Sequence, residues 1–566
     1  MSYSLSPATP PASLRFFAPA PGAGGSARAP DPQPGGGLVC GLETEYGVLG
    51  ASRNPVELSN WVVAAYKQTQ GDRVAPWDYG GEDPLADARG FHLDRAAAHP
   101  SLLTDGLGGI GGGSSPMPAT RPMPSAPPVR TGPGAALLAN GARLYVDHAH
   151  PEYATPECGS AREAALWDKA GERVMAAAAR ALAAEGRPVS LYKNNTDGQG
   201  ASYGTHENYL LPRSLDWGQL VAGVTPFLVT RQLFAGSGRV GLGPRSQEPG
   251  LQLSQRADFV EAEVGLETTF NRPIVNTRDE PHADPARWRR LHVIVGDATV
   301  LEVATYLRVG ATGLTLAALA DADPAAAARF ADSVALANPV AAFRQVSRDL
   351  ALKEKLELRT GGHATALEIQ RRYLDFCGRD KKGQALSVSP AQAADLLERW
   401  AVVLDGLAEG PEVVARQVEW AAKLQVLDAL RARRGVGWEA PALRAADLKW
   451  TDVDPAVSLA ARLEAAGAVD RLFAEEEIAW AAGHPPESTR AYLKGETLRR
   501  HPEWVASAGW DRLTLRWDGG EAAIPLPDPR QGSRAAAQTA LDQAESAQDL
   551  AHALAPAPAP NPDAAR

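Results

Sequence analysis

Cysteine is scarce. The 566 residues hold only Cys40, Cys158 and Cys377, and no two form a CxxC pair. That excludes a disulfide framework and a zinc-knuckle pattern, and a reducing cytosol is the expected compartment. Positive charge is also in deficit, with 57 Lys and Arg against 67 Asp and Glu and a formal net charge of -10. A nucleic-acid-binding chain usually shows the opposite balance, although a local basic groove for an acidic partner remains compatible with it. No apolar run reaches the roughly 18 residues of a membrane span. The N-terminus has no basic stretch followed by an apolar one, so no secretory signal is expected. The expectation is a soluble cytoplasmic protein that uses neither nucleic acid nor membrane. Phosphate-binding GxxxxGK[ST] is missing, which argues against a P-loop NTPase. The glycines of Gly236-Ser237-Gly238-Arg239-Val240-Gly241 lack the strand–turn–helix setting of a dinucleotide fingerprint. Gly200-Ala201-Ser202-Tyr203-Gly204 has the letters of a nucleophile elbow, but it leads from a polar loop into a strand and not from a strand into a helix.

What is present is ordinary globular material, 44% hydrophobic and 22% charged, enough for a large core. Residues 1–37 are rich in Pro, Ala and Gly and read as a tail. A second Gly/Pro-rich stretch at about 106–134 reads as a flexible loop. The pattern changes near Trp438–Trp450, which suggests a body over 38–440, a small C-terminal domain over 441–545 and a tail over 546–566. Apolar spacing predicts helices over Arg162–Ala184, from Ser389-Pro390 to Gly410-Pro411, and over Glu412–Arg434, with Ser389 as N-cap and Pro390 in the first turn. Strands are predicted at Leu38–Leu49, Arg143–Asp147, Val189–Lys193, Gly204–Leu211 and Leu291–Val295. Mixed elements without a regular βαβ rhythm point to an α+β fold with an antiparallel sheet.

Four segments carry chemistry. In Gly41-Leu42-Glu43-Thr44-Glu45-Tyr46-Gly47, strand alternation puts Glu43 and Glu45 on one face about 7 Å apart. Two carboxylates on a buried face repel unless a cation lies between them, and hard oxygen donors suit magnesium. An isolated pair of this kind is more simply a solvated edge strand. The second segment, Asn140 to Tyr153, places Leu144 and Val146 on one face and Arg143, Tyr145 and Asp147 on the other. Arg143 has the planar fork that suits phosphate oxygens, and Asp147 is a candidate base or nucleophile. Glu152 adds a metal oxygen, with Glu157 as a weaker candidate. The plainer alternative is an Arg–Asp pair on a half-exposed strand, and the sharper rival is zinc at Asp147-His148-Ala149-His150. The third segment, Lys193 to Tyr209, is an Asn/Asp/Gly loop that enters a strand, with His206 as a metal or phosphate neighbour or a structural histidine. The fourth, Asn276 to Val293, sets His292 opposite Leu291 and Val293, and offers Arg278, Arg289 and Arg290 for phosphates, carboxylates or surface ion pairs.

Taken together and in order, GLETEYG, NGARLYVDHAHPEYATPEC, YKNNTDGQGASYGTHENYL and NTRDEPHAD with RRLHVIVGD resemble the Pup ligase/Pup deamidase family, relatives of glutamine synthetase. The likeness runs from about Val39 to Ala535. It implies a large domain with a curved, mainly antiparallel sheet as a cradle and a small C-terminal domain. It implies magnesium ligands at Glu43, Tyr145 and Glu152, with Glu45, His206 and His292 as further metal candidates. ATP contacts are implied at Arg143, Thr155 and Trp510, and a catalytic aspartate at Asp147. The implied partners are Pup, the prokaryotic ubiquitin-like protein, and pupylated proteins.

Within the family three features favour a hydrolase over a ligase. These are Asp147-His148-Ala149-His150, the pair Gly200–Tyr203 and Glu263–Thr269, and the long region between the first two strands with Pro76-Trp77-Asp78-Tyr79 and Pro84–Phe91. Glu43-Thr44-Glu45 is closer to the ligase wording, and the Gly/Pro stretch after Thr104 departs from the pattern. The implied activity is ATP- and magnesium-dependent hydrolysis of the C-terminal glutamine amide of Pup and of Pup–lysine isopeptide bonds. Ligation, a small γ-glutamyl amide substrate, and non-catalytic Pup binding are the alternatives.

Overall fold

The computed structural model describes residues 38–52, 54–94, 98, 134–379 and 388–555. The expected N-terminal tail, nearly all of the 106–134 loop and the last eleven residues lie outside these.

Short alternating segments with Gly or Pro between them build one seven-stranded sheet. Its strands are β1 (Cys40–Glu45), β2 (Val74–Pro76), β3 (Ala136–Leu138), β4 (Arg143–Asp147), β5 (His150–Ala154), β6 (Thr205–Pro212) and β7 (Trp288–Val293), in the order β7-β6-β1-β5-β4-β3-β2. Every neighbouring pair is antiparallel. Helices fill the remainder, so the fold is α+β as expected.

The sheet has two unlike faces because its side chains alternate. Leu42, Tyr209, Leu211, Leu291 and Val293 turn to one side and join a core with helices α2 (Ala161–Ala184), α3 (Trp217–Thr230) and α4 (Glu302–Asp321). Leu144 and Tyr153 turn the same way, onto α2 and helix α1 (Pro55–Gln70). Gly171 of α2 is obligatory there, since a Cβ would lie 2.5 Å from the Tyr153 ring. Helix α2 starts one residue before the expected Arg162, capped by Ser160, whose hydroxyl accepts from the Glu163 amide.

Charge also appears on this apolar side, and it is paired. Glu207 of β6 is wholly buried and accepts two bonds from Arg231, at 2.8 and 2.6 Å. Arg308 of α4 lies 3.3 Å away, and the Tyr209 hydroxyl donates at 2.7 Å. Burial alone would raise the Glu207 carboxyl, but the two guanidiniums outweigh it and hold it below the ordinary carboxylate value. Helix α4 is long and apolar enough to cross a membrane, yet nearly all of it is buried inside the protein, and Arg308 is ion-paired there.

Several sequence expectations are corrected at their ends. The strand over Leu38–Leu49 breaks at Tyr46, whose ring is buried against α1 and α2 and whose amide bonds Pro151 O at 3.0 Å. The chain beyond it, Gly47–Gly50, leaves the main sheet and pairs with Val189–Tyr192. The strand expected at Leu291–Val295 is shifted to Trp288–Val293 by its pairing with β6. The helix over Glu412–Arg434 is two pieces, Pro411–Val414 and Glu419–Arg434. Arg416 and Gln417 between them are drawn out to the Asp470 carboxylate.

Residues 441–482 pack onto the large body, with Leu443 on Val240, Leu251 and Leu427, and Trp450 among Val300, Leu301 and Ala304. A separate cluster joins Leu493, Val505, Leu513, Leu515, Ala537 and Leu550. It is completed by Ala75, Trp77, Ala135 and Leu137 from the edge of the main sheet. Its three-stranded sheet is β8 (Val505–Ala508), β9 (Arg512–Trp517) and β10 (Gly520–Pro525). Within the expected 546–566 tail, Ala547–Leu554 is a helix, because Leu550 and Ala551 bury their side chains in this cluster.

Replacing Glu207 by Gln removes one partner of a buried ion cluster and leaves two guanidiniums uncompensated, which should cost about 3–5 kcal/mol in urea unfolding. The lowered folded value means that Glu207 binds protons more readily when unfolded. Its contribution is therefore complete above the ordinary carboxylate range and is lost as pH falls through the folded value. The variant should show a shallower loss of stability on acidification than the wild type.

Candidate active site

The face of the sheet away from the helical core collects the charged residues. Register explains how. Glu43 on β1 stands opposite His206 on β6 and Ala154 on β5, and Ala154 stands opposite Arg143 on β4. One step along, Glu45 is opposite Glu152, which is opposite Tyr145. At the strand ends Asp147 faces His150, and on the far side Asn208 faces His292. Four carboxylates, three histidines, an arginine and a tyrosine thus share one surface.

Two groups form within it. Glu45, Asp147 and Glu152 can each direct an oxygen into one site, all within 4.8 Å of one another. Glu43, His206 and His292 do the same with one oxygen and two nitrogens. The expected metal residues are therefore divided between two places, with Asp147 joining Glu45 and Glu152. Tyr145 stands opposite Glu152 and hydrogen-bonds its carboxyl, and its ring lies 4.1 Å from the Arg143 guanidinium.

The electrostatics differ between the groups. Burial pushes Glu43 up, but the His206 hydrogen bond at 3.0 Å and the charges of His292 and Arg290 bring it well below the usual range. Asn208 also donates to Glu43 at 3.0 Å. Burial likewise opposes ionisation of Glu45, and His150, 3.2 Å away, outweighs it and brings the carboxyl to about 2. Glu152 has no cationic partner, only a hydrogen bond with Tyr145. Burial and the charges of Asp147, Glu45 and Glu43 drive it well above the carboxylate range, and its Oε2 is buried with no hydrogen bond. An orphaned carboxylate oxygen among two other carboxylates is the donor set of a hard divalent cation. That set fits magnesium; two imidazoles and one carboxylate in the second group make a softer set.

Gly204 seals the arrangement. Its amide donates to Glu45 Oε1 at 2.8 Å, and a Cβ there would lie 2.5 Å from both Glu45 Oε1 and His206 Nε2. Nearby Ser202, the central letter of the elbow-like sequence, makes no side-chain hydrogen bond. His148 and His150 bind different carboxylates, Asp147 and Glu45, and neither enters a metal group, so the Asp-His-Ala-His spacing does not gather ligands for zinc.

Arg143 is caged. Its guanidinium carbon lies 4.7 Å from the Trp77 ring centre and 4.9 Å from that of Tyr79, in addition to Tyr145. Glu82, 3.4 Å away, is its ion-pair partner and also accepts from Trp77. Trp510 meets Trp77 edge-on at 4.9 Å, and so lies next to the Arg143 cage. The Thr155 hydroxyl is engaged with the backbone, accepting from Leu42 and donating to Pro156. An open cleft lies here, and its walls include Glu43, Thr155, His282, Arg290, Arg490 and Trp510. Beside it Glu157 pairs with Arg490 at 2.8 Å and Lys494 at 3.3 Å. Arg290 bonds Asn208 and Glu280, while Arg289 turns away to Leu215 O and the Trp217 ring.

Glu82, Asn208, Arg490 and Lys494 escaped the sequence reading. Asn208 was within reach, since it follows His206 by two on one strand face. The other three are brought in only by packing between distant segments.

A family profile described as Pup-ligase protein matches residues 38–514. The Pup deamidase/depupylase of Mycobacterium tuberculosis (strain ATCC 25618 / H37Rv) is 45% identical over 531 residues, which is 92% of this chain and 99% of that protein. A crystal structure of Pup in complex with its ligase PafA superposes with a TM-score of 0.69 at 28% identity, covering 92% of each chain. The ligase PafA in complex with ADP gives 0.64 at 34% identity, over 72% of this chain and 89% of that one.

If the Glu45–Asp147–Glu152 group holds magnesium, Glu152→Gln should be at least as stable as wild type in EDTA, because burial and the neighbouring carboxylates already disfavour the charged form of Glu152. Wild type should gain roughly 2.7 kcal/mol at a hundredfold excess of magnesium over its Kd, and the variant little. Thermal unfolding with and without the ion reads both effects.

Proposed function

The chain belongs to the Pup-ligase protein family, and we propose that within it this protein is an ATP- and magnesium-dependent hydrolase that deamidates the C-terminal glutamine of Pup and cleaves Pup–lysine isopeptide bonds. The observation that carries the reading is the Glu45–Asp147–Glu152 group at the end of the β4–β5 hairpin, with caged Arg143 on the same sheet face. Identity and coverage favour the hydrolase, at 45% over 92% of this chain with a deamidase/depupylase against 41% over 69% with a Pup–protein ligase.

Glu45 and Glu152 would hold magnesium beside Asp147, with Glu43, His206 and His292 as a second position. When bound, the ion supplies positive charge that offsets the negative charge of phosphates and of the reacting carbonyl. The nucleotide is assigned to the cleft beside Trp510 and Thr155, with Arg143 as its phosphate contact. Among the side chains, Asp147 is the reactive one. Its side chain is one-third exposed, while Glu45 and Glu152 are buried. It attacks the side-chain amide carbon of the glutamine, or takes a proton from the water that does. The carbon–nitrogen bond breaks, ammonia or the lysine amine leaves with a proton, and water supplies the oxygen of the new carboxylate. Arg143 is held rigid by its three rings, so it meets developing negative charge without reorganising. Free, buried thiols at all three cysteines accord with a cytoplasmic setting.

Incubation with ATP, magnesium and Pup ending in Gln should raise the mass of Pup by about 1 Da, the exchange of NH2 for OH that amide hydrolysis produces. Covalent attachment of Pup ending in Glu to a lysine protein, without hydrolysis, would make the protein a ligase instead. Asp147→Asn should lower turnover about 10,000-fold and leave nucleotide binding intact; near-normal turnover would remove Asp147 from its role.

A further inference from the structure

The hairpin between β4 and β5 turns over only two residues, His148 and Ala149, because Asp147 and His150 are already paired across it. His148 adopts φ +49°, a left-handed conformation that side chains with a Cβ seldom take. Such a conformation persists where the surroundings over-determine it, and it clusters at functional sites. Here three contacts fix the tip. The Ser59 hydroxyl of α1 donates to Ala149 O at 2.8 Å, and Ser59 is fully buried. The His150 ring stacks on Tyr203 at 4.2 Å and faces Glu45 at 3.2 Å. The His148 ring folds back on its own neighbour, with Nδ1 3.0 Å from Asp147 Oδ2.

Resting on the hydrolase reading above, we propose that His148 is the positioning residue for Asp147: its Nδ1–H binds Oδ2, fixes the carboxylate rotamer and leaves Oδ1 as the reactive oxygen. A carboxylate with one-third of its side chain exposed has rotational freedom that a single hydrogen bond from a rigid turn removes, and supporting bonds of this kind are worth about 10–100-fold in activity.

The test separates side chain from backbone. Gly and Asn both accept φ +49°, so His148→Gly keeps the turn and loses the donor, whereas His148→Asn keeps the turn and puts an amide N–H near the place of Nδ1. With Pup ending in Gln, at saturating ATP and magnesium, His148→Gly should lose about 10–100-fold in kcat with KM for Pup unchanged. His148→Asn should recover most of it. Wild-type kcat in His148→Gly, or equal loss in both variants, would overturn the assignment, and with wild type active and Asp147→Asn dead it would leave the hydrolase reading standing. If wild type itself leaves Pup intact, that reading falls, and the contact is judged by ¹⁵N-histidine NMR. An Nδ1–H resonance absent in His148→Asn and lost in Asp147→Ala supports the bond; no such resonance overturns it.

Discussion

Four carboxylates on one face of an antiparallel sheet set the terms for everything around them. Glu43, Glu45, Asp147 and Glu152 arrive there because a strand turns every second side chain the same way, and three neighbouring strands are in register. Their repulsion in a buried setting is large, and the protein meets it residue by residue. Glu43 has His206, Asn208 and the charge of Arg290; Glu45 has His150 and the Gly204 amide; Asp147 has His148. Glu152 has only Tyr145, and its orphaned second oxygen marks where compensation from outside the chain belongs.

A face that carries so much like charge needs a rigid support, and the opposite side of the same strands supplies it. Glu207 sits between His206 and Asn208 in sequence but on the other side of β6, clamped by Arg231 and Arg308 from two helical segments. The two faces are therefore coupled through one strand. A shift of β6 relative to α4 would move the partners of Glu43 as well. Arg143 is supported differently, by three aromatic rings and Glu82, and its cage connects the edge of the main sheet to the C-terminal cluster through Trp77 and Trp510.

Strand periodicity and motif wording by themselves determined much of this protein. Alternation alone puts Glu43 with Glu45 and Arg143 with Tyr145 and Asp147, because the period of a strand is a local property of the backbone. The antiparallel α+β class and the resemblance to the family were legible for the same reason, since each rests on short contiguous segments. Tertiary structure decided which of those residues meet. It divided the expected metal residues into two groups, placed His148 and His150 on separate carboxylates, and turned Ala547–Leu554 from tail into helix. Glu82 reaches Arg143 across 61 positions and Lys494 reaches Glu157 across 337. Periodicity states which face a side chain occupies, but strand order, register and the burial that shifts each charge come from packing between distant segments, and no local pattern encodes them.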